Sequence, residues 1–225
     1  MCSSDLWRAL FGETDLPKPA IIHESLNYRC LALTGSFETG RPVPDCFAGI
    51  SGDFDGQGLS FGALQWNLGQ GSLQPLFKEM AQEHPALLEE LCQDYYPELQ
   101  AVFTSGKDEQ LAWVRSIQDQ RRYVLAEPWR GLLKSLGRIK EFQDIQVRHA
   151  DRLFAQAQEL CQQYGLWSQR ATALMFDIKV QNGSISSLVK SQIFSDFARL
   201  GTVLEEEALE AARLEIIANR RAEAS

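Results

Sequence analysis

The chain has 225 residues, 44% of them hydrophobic and 23% charged, a composition ordinary for a soluble globular protein and unlike disordered or fibrous chains. Its net charge of −8 argues against a nucleic-acid binder, which presents cations to phosphates. No stretch approaches the roughly 18 consecutive apolar residues of a membrane span, so no membrane span is expected.

Residues 1–26 read as an N-terminal extension. Cys2–Leu10 has neither a charged start nor an apolar run, so no signal peptide is expected and synthesis is cytoplasmic. Residues 27–71 read as one helix followed by a hairpin. A helix is predicted from about Asn27 through Leu31 and Leu33 to Phe37, and it delivers Glu38 near its C-terminal end. Seven of the sixteen glycines then fall between Cys46 and Gly71, which marks turns and close backbone approaches. Phe47–Ser51 and Leu59–Leu64 read as short strands flanking an Asp/Gly turn.

Residues 72–225 read as a helical body. Helices are predicted around Ser72–Glu83, Pro85–Tyr95, Lys107–Gln120 and Trp129–Leu136. Between Glu141 and Cys161 the apolar residues Phe142, Ile145, Leu153, Phe154, Ala157 and Leu160 keep three-to-four spacing. Ser168 caps a further helix that ends at Asn182-Gly183, and another segment from Ile193 to Leu200 ends at Gly201. The run from Leu204 to Ala218 continues to Ser225 without a stop signal, as expected of a domain excised from a longer protein. The fold expected is mainly α with a small β-hairpin, one domain over 1–225, with a cleft between the hairpin and the helical body.

The five cysteines form no CxxC pair and the three histidines lie far apart, so neither a zinc site nor a cofactor is expected. Most cysteines read as small buried hydrophobes, with a Cys30–Cys46 bridge open to a protein that works outside the cytoplasm. Glu38 is the first candidate for chemistry. The negative pole of its helix and the apolar neighbour Phe37 both favour a raised carboxyl pKa, which a proton donor requires. The alternative is a solvated helix-end residue. Asp53 and Asp55 follow on the turn. Glycosidases need an acid and a second carboxylate, and this pair offers the second; equally, Asp favours such turns for its own backbone bonding. The stretch Asp53–Gly58 lacks the later bidentate Glu of an EF-hand calcium loop.

A helix-end Glu followed by a Gly-rich hairpin resembles the plan of the lysozyme-like superfamily. Asp55–Trp66, DGQGLSFGALQW, resembles the hairpin of family 46 chitosanases. That resemblance puts Glu38 on the general acid, Asp55 on the carboxylate that activates water, and Ser60 on the hydroxyl that holds the water; Asp53 is an extra carboxylate able to share the role of Asp55. Gln57 stands where that family has Arg, which loses a charge. Glu38-Thr39 followed by Gly62-Ala63-Leu64-Gln65 is similar to the signature of lytic transglycosylases and goose-type lysozymes, in which the Gln lines the sugar cleft. Met175–Ser184 resembles a cleft-floor helix of such enzymes. The terminal ANRRAEAS resembles a helix of bacterial peptidoglycan-hydrolase domains, including type VI secretion toxins.

The resemblance implies a muramidase-type hydrolase of peptidoglycan, with chitosan, lytic transglycosylation or a non-catalytic wall-binding module as alternatives. It implies action at the bacterial cell wall after delivery by a secretion system, with an immunity protein as a partner. Sugar contacts are expected from Gln65, Asn67, Gln181 and Asn182, and stacking from Trp66; core packing for Trp66 and turn or cap roles for Asn67 and Asn182 remain open. Family analogy further suggests an ion-pair network of Asp177, Arg220 and Arg221 behind Glu38, although surface charges explain these residues equally well.

Overall fold

The computed structural model describes residues 20–200 and 205–223. The readings of Cys2–Leu10, of a helix stop at Gly201, of a helix start at Leu204 and of the end at Ser225 fall outside these ranges. Among the described residues the fold is ten α-helices and one small antiparallel sheet.

Helix α1 (Leu26–Thr39) begins where the Ser25 hydroxyl accepts the Tyr28 N–H, and it stops at Gly40, which takes a left-handed φ of 65°. The chain then makes a 3-10 turn over Asp45–Ala48 and enters the sheet of β1 (Ile50–Ser51), β2 (Ser60–Phe61) and β3 (Trp66–Asn67). Strand order follows the sequence, and Ser51, Ser60 and Asn67 stand opposite one another across it. The strands are shorter than the sequence suggests, with Phe47 and Ala48 coiled into the 3-10 turn. The third strand was not expected. Gln65 makes it possible by adopting a φ of 53°, which reverses the chain after the Gly62–Gln65 turn.

The remaining helices are α2 (Gln74–Glu83), α3 (Pro85–Cys92), α4 (Tyr96–Thr104), α5 (Lys107–Ser116), α6 (Trp129–Arg138), α7 (Lys140–Tyr164), α8 (Gln169–Asn182), α9 (Ser187–Phe197) and α10 (Glu206–Glu223). Proline opens α2, α3 and α4 in the first turn, where a missing N–H costs nothing. Two predicted helices end early. α3 gives way to a 3-10 turn at Gln93–Tyr95. α5 stops at Ser116 because the chain folds back through a β-bridge between Gln118 and Leu125.

Two apolar cores meet along α7. One gathers Leu31, Ala32 and Phe47 with Ala157, Met175 and Ile217 from α7, α8 and α10. The other gathers Phe61, Leu76, Trp113 and Trp129 with Phe142 and Ile145 of α7. At 25 residues α7 is about 37 Å long, enough to serve both. Trp66 packs against both cores. Between them Gln146, with 0% exposure, accepts the Ala63 N–H at 2.9 Å and donates to the Phe47 carbonyl at 3.0 Å. One buried amide thus fixes the hairpin and the 3-10 turn to the central helix.

The Cys30–Cys46 bridge is not formed; both are buried free thiols, as are Cys92 and Cys161. Cys30 looks toward α7, where Cys161 is its neighbour, whereas Cys46 meets Ser36. Burial pushes the Cys30 thiol up to about 12, so it behaves as an inert small hydrophobe. Among the described residues no helix is long and apolar enough to cross a membrane.

Candidate functional site

An open cleft of about 540 Å³ runs between the end of α1, the edge of β1, the 122–125 loop and the outer face of α6. Two glycines set its narrow side. A Cβ on Gly35 would sit 2.8 Å from the Cβ of Ala63, so only glycine lets α1 lie directly on the hairpin. A Cβ on Gly49 would sit 2.5 Å from the Thr39 methyl and 2.8 Å from Nε2 of Gln65. The two motifs Glu38-Thr39 and Gly62–Gln65 meet across these positions.

Glu38 lies exposed at the last turn of α1 and is the sole carboxylate lining the cleft among the described residues. The Gln181 side-chain amide donates to its Oε1. Behind it, Asp177 of α8 accepts from Thr34 Oγ1 at 3.2 Å. Burial raises the Asp177 carboxyl above its ordinary value, the Thr34 hydroxyl works the other way, and the Glu38 charge adds to the rise. Two carboxyls and an amide therefore form one cluster from α1 and α8. Phe37 gives Glu38 no apolar shelter, because it points into solvent with 71% exposure.

Gln65 lines the same cleft as Glu38, its Nε2 donating to the Gly62 carbonyl at 2.9 Å and its Oε1 accepting from Ser51 Oγ at 3.3 Å. The other hairpin candidates lie apart from it. Asp53 is buried at 6% exposure, accepts the Gly58 N–H at 2.8 Å and pairs with Arg115 Nε at 2.6 Å. Burial pushes its carboxyl up, but the Gly58 N–H and the guanidinium outweigh that and hold it below the usual range. Asp53 is thereby a clamp of its own turn. Asp55 is exposed, accepts the Gln57 N–H at 3.0 Å and is not among the residues that line the cleft. Ser60 also falls outside the lining, and its Oγ accepts from Asn67 Nδ2 at 2.9 Å. Asn67 is buried and further accepts the Gln70 N–H, so its amide serves the turn. Trp66 is partly buried, packs against both cores and is not among the residues that line the cleft.

At the C-terminal end of α8, Asn182 accepts from the Arg221 guanidinium. Arg220 pairs with Asp196 at 2.6 Å and with Glu223 at 2.9 Å. The suggested network of Asp177, Arg220 and Arg221 is therefore divided: Asp177 stands behind Glu38, while Arg220 is held by Asp196.

Several cleft residues carried no signal in the sequence. The 117–126 segment docks on β1 through the Gly52 N–H to the Tyr123 carbonyl at 3.2 Å, and Gln118 Oε1 accepts the Asp53 N–H at 2.8 Å. This docking presents Tyr123, 40% exposed, and leaves Phe54, 64% exposed, as a second ring in the cleft. Arg41, Arg122, Arg130 and Lys134 complete the lining. Among the described residues no group of three or more His, Cys, Asp or Glu is placed to hold a metal ion. No protein-family model, no characterised protein and no solved structure matches this chain.

Proposed function

We propose that the protein is a glycan-strand-cleaving enzyme of lysozyme-like plan, a hydrolase or a lytic transglycosylase, that breaks β-1,4 bonds between amino sugars, with peptidoglycan as the favoured substrate. The observation that carries this reading is Glu38: among the described residues the one carboxylate lining an open cleft, held by the Gln181 amide, with Gln65 and two exposed rings in the same lining. A glycan laid in the cleft stacks a sugar face on Tyr123 or Phe54. Glu38 protonates the glycosidic oxygen as the bond to the anomeric carbon breaks. Delivery by a type VI-like secretion route, action at the cell wall and an immunity partner belong to the same proposal.

The second step has two forms. In hydrolysis with inversion, Asp55 directs a water held with Ser60 to the anomeric carbon, which requires the two carboxyls roughly 6.5–9.5 Å apart. In the second form, the C6 hydroxyl of the same sugar attacks the anomeric carbon and returns its proton to Glu38, giving a 1,6-anhydro product. The position of Asp55 outside the cleft lining favours this single-carboxylate route.

Incubating purified sacculi with the wild type and with Glu38→Gln, followed by mass spectrometry of the soluble fragments, tests the reading. Muropeptides released by the wild type alone support it. Sacculi left intact but bound by both proteins would replace it with a wall-binding module. Asp55→Asn separates the two forms: retained activity with anhydro products supports transglycosylation, and lost activity supports the water-activating carboxylate.

A further inference from the structure

The charge of the cleft opposes the charge of the molecule. The chain carries −8 overall, yet four cations line the cleft together with Glu38, and Glu38 is the only lining anion among the described residues. They arrive from separate parts of the chain: Arg41 after α1, Arg122 from the loop docked on β1, and Arg130 and Lys134 from one face of α6. The i, i+4 spacing of Arg130 and Lys134 puts two like charges side by side, which disfavours the helix unless something else holds them. Asp45 is an acid whose charge acts on Lys134 and Arg41, but Arg138 pairs with it at 2.6 Å. Among the described residues none of the four forms a side-chain ion pair. Partial burial, and after it the charges of Arg130, Arg41 and Arg138, push the Lys134 ammonium below its ordinary value, with Asp45 acting in the opposite direction. Such crowding of unpaired cations in a concave site is unfavourable in the empty protein and is relieved by an anion.

We propose that Arg41, Arg122, Arg130 and Lys134 form a carboxylate-binding wall, which makes the cleft selective for amino-sugar chains that bear ionised acidic substituents and turns away cationic chains. The proposal rests on the reading of the cleft as a glycan site. Carboxylates fit better than a phosphate polymer, because a chain with one charge per phosphate meets strong repulsion from the rest of a −8 molecule. A glycan with a charge every few sugars meets less. Apolar Ile50, Val124 and Leu125 lie among the cations, as suits sugar rings carrying widely spaced charges. The same wall disfavours chitosan under mildly acidic conditions, where its free amines are protonated.

The test measures binding on the Glu38→Gln background, so that it does not depend on turnover. The probes are peptidoglycan glycan chains stripped of peptide, whose lactyl carboxylates are free, and the same chains with those carboxylates coupled to methylamine. Expected is about tenfold weaker binding of the capped chains, the combined effect of several partly exposed ion pairs. Arg130→Gln combined with Lys134→Gln should lose a similar factor on free chains and become nearly indifferent to capping, since the interacting partners have been removed. Arg130→Lys combined with Lys134→Arg should restore the preference, which separates charge recognition from a folding defect. Equal binding of free and capped chains by the parent protein overturns the proposal. So does a single-stranded oligonucleotide that displaces the free chains at equal concentration, which would assign the wall to phosphates. If carboxylate-dependent binding appears while the wild type releases no fragments from sacculi, this inference stands and the hydrolase reading falls.

Discussion

Gln146 shows how one side chain can hold a site it does not touch. Both ends of its amide are used, on Ala63 N–H and the Phe47 carbonyl, and neither backbone group has water to turn to. Gln146→Leu keeps the approximate volume and orphans both. The expected cost is about 3 kcal/mol, read as a lower urea midpoint with unchanged slope. Glu38 was legible because a Glu at a helix end before a glycine-rich stretch is a local pattern. Gln146 was not, because a glutamine amid α7 reads as solvated until its neighbours from residues 47 and 63 are known. Asp53 and Asp55 were equivalent in sequence. Arg115, Gly58 and burial distinguish them, and Arg115 lies 62 positions away.

At the scale of elements, the contact of α1 with the hairpin decides where Glu38 points. Gly35→Ala places a methyl 2.8 Å from the Ala63 Cβ, too close for backbone-supported groups to yield without a shift of one element. The expected loss is about 1–3 kcal/mol, a fall in Tm of about 2–4 °C for each kcal/mol, together with reduced sacculus digestion. Unchanged Tm and unchanged digestion would show that the contact is looser than its geometry indicates. The long helices were readable because capping residues and three-to-four periodicity are properties of neighbours in sequence: Ser168, read as a cap, accepts the Ala171 N–H with its own hydroxyl, and Ser25 and Ser186 prove to cap in the same way. The strands were not. Two-residue strands have no periodicity, and their pairing partners are chosen by Gln65 adopting a positive φ.

In the whole molecule, α7 runs through both cores, and Trp66 packs against the two of them. With Trp7, Trp66 and Trp167 replaced by Phe, the fluorescence of Trp113 and Trp129, edge to face at 5.0 Å, reports one core, whereas far-UV circular dichroism reports helices of both. Because Phe142 and Ile145 serve one core and Ala157 and Leu160 the other on a single helix, the two are expected to unfold in one transition. Coincident fluorescence and dichroism curves in urea check this; a fluorescence change that precedes the dichroism change would show cores that melt independently. Charge is also a property of the whole. The value of −8 describes the surface seen from a distance, but a substrate meets the cleft, where the sign is reversed.

By itself the sequence determined the mainly helical class, most helix positions, the glycine-rich turn region and the choice of Glu38 as the group to examine. Each follows from interactions between residues a few positions apart. Only the tertiary structure decided that Gln181 and Asp177 attend Glu38, that Asp53 serves its own turn, that Cys30 and Cys46 stay apart, and that four cations from three regions share one wall. These depend on which surfaces the two cores bring together, and packing between distant segments leaves no periodic trace along the chain.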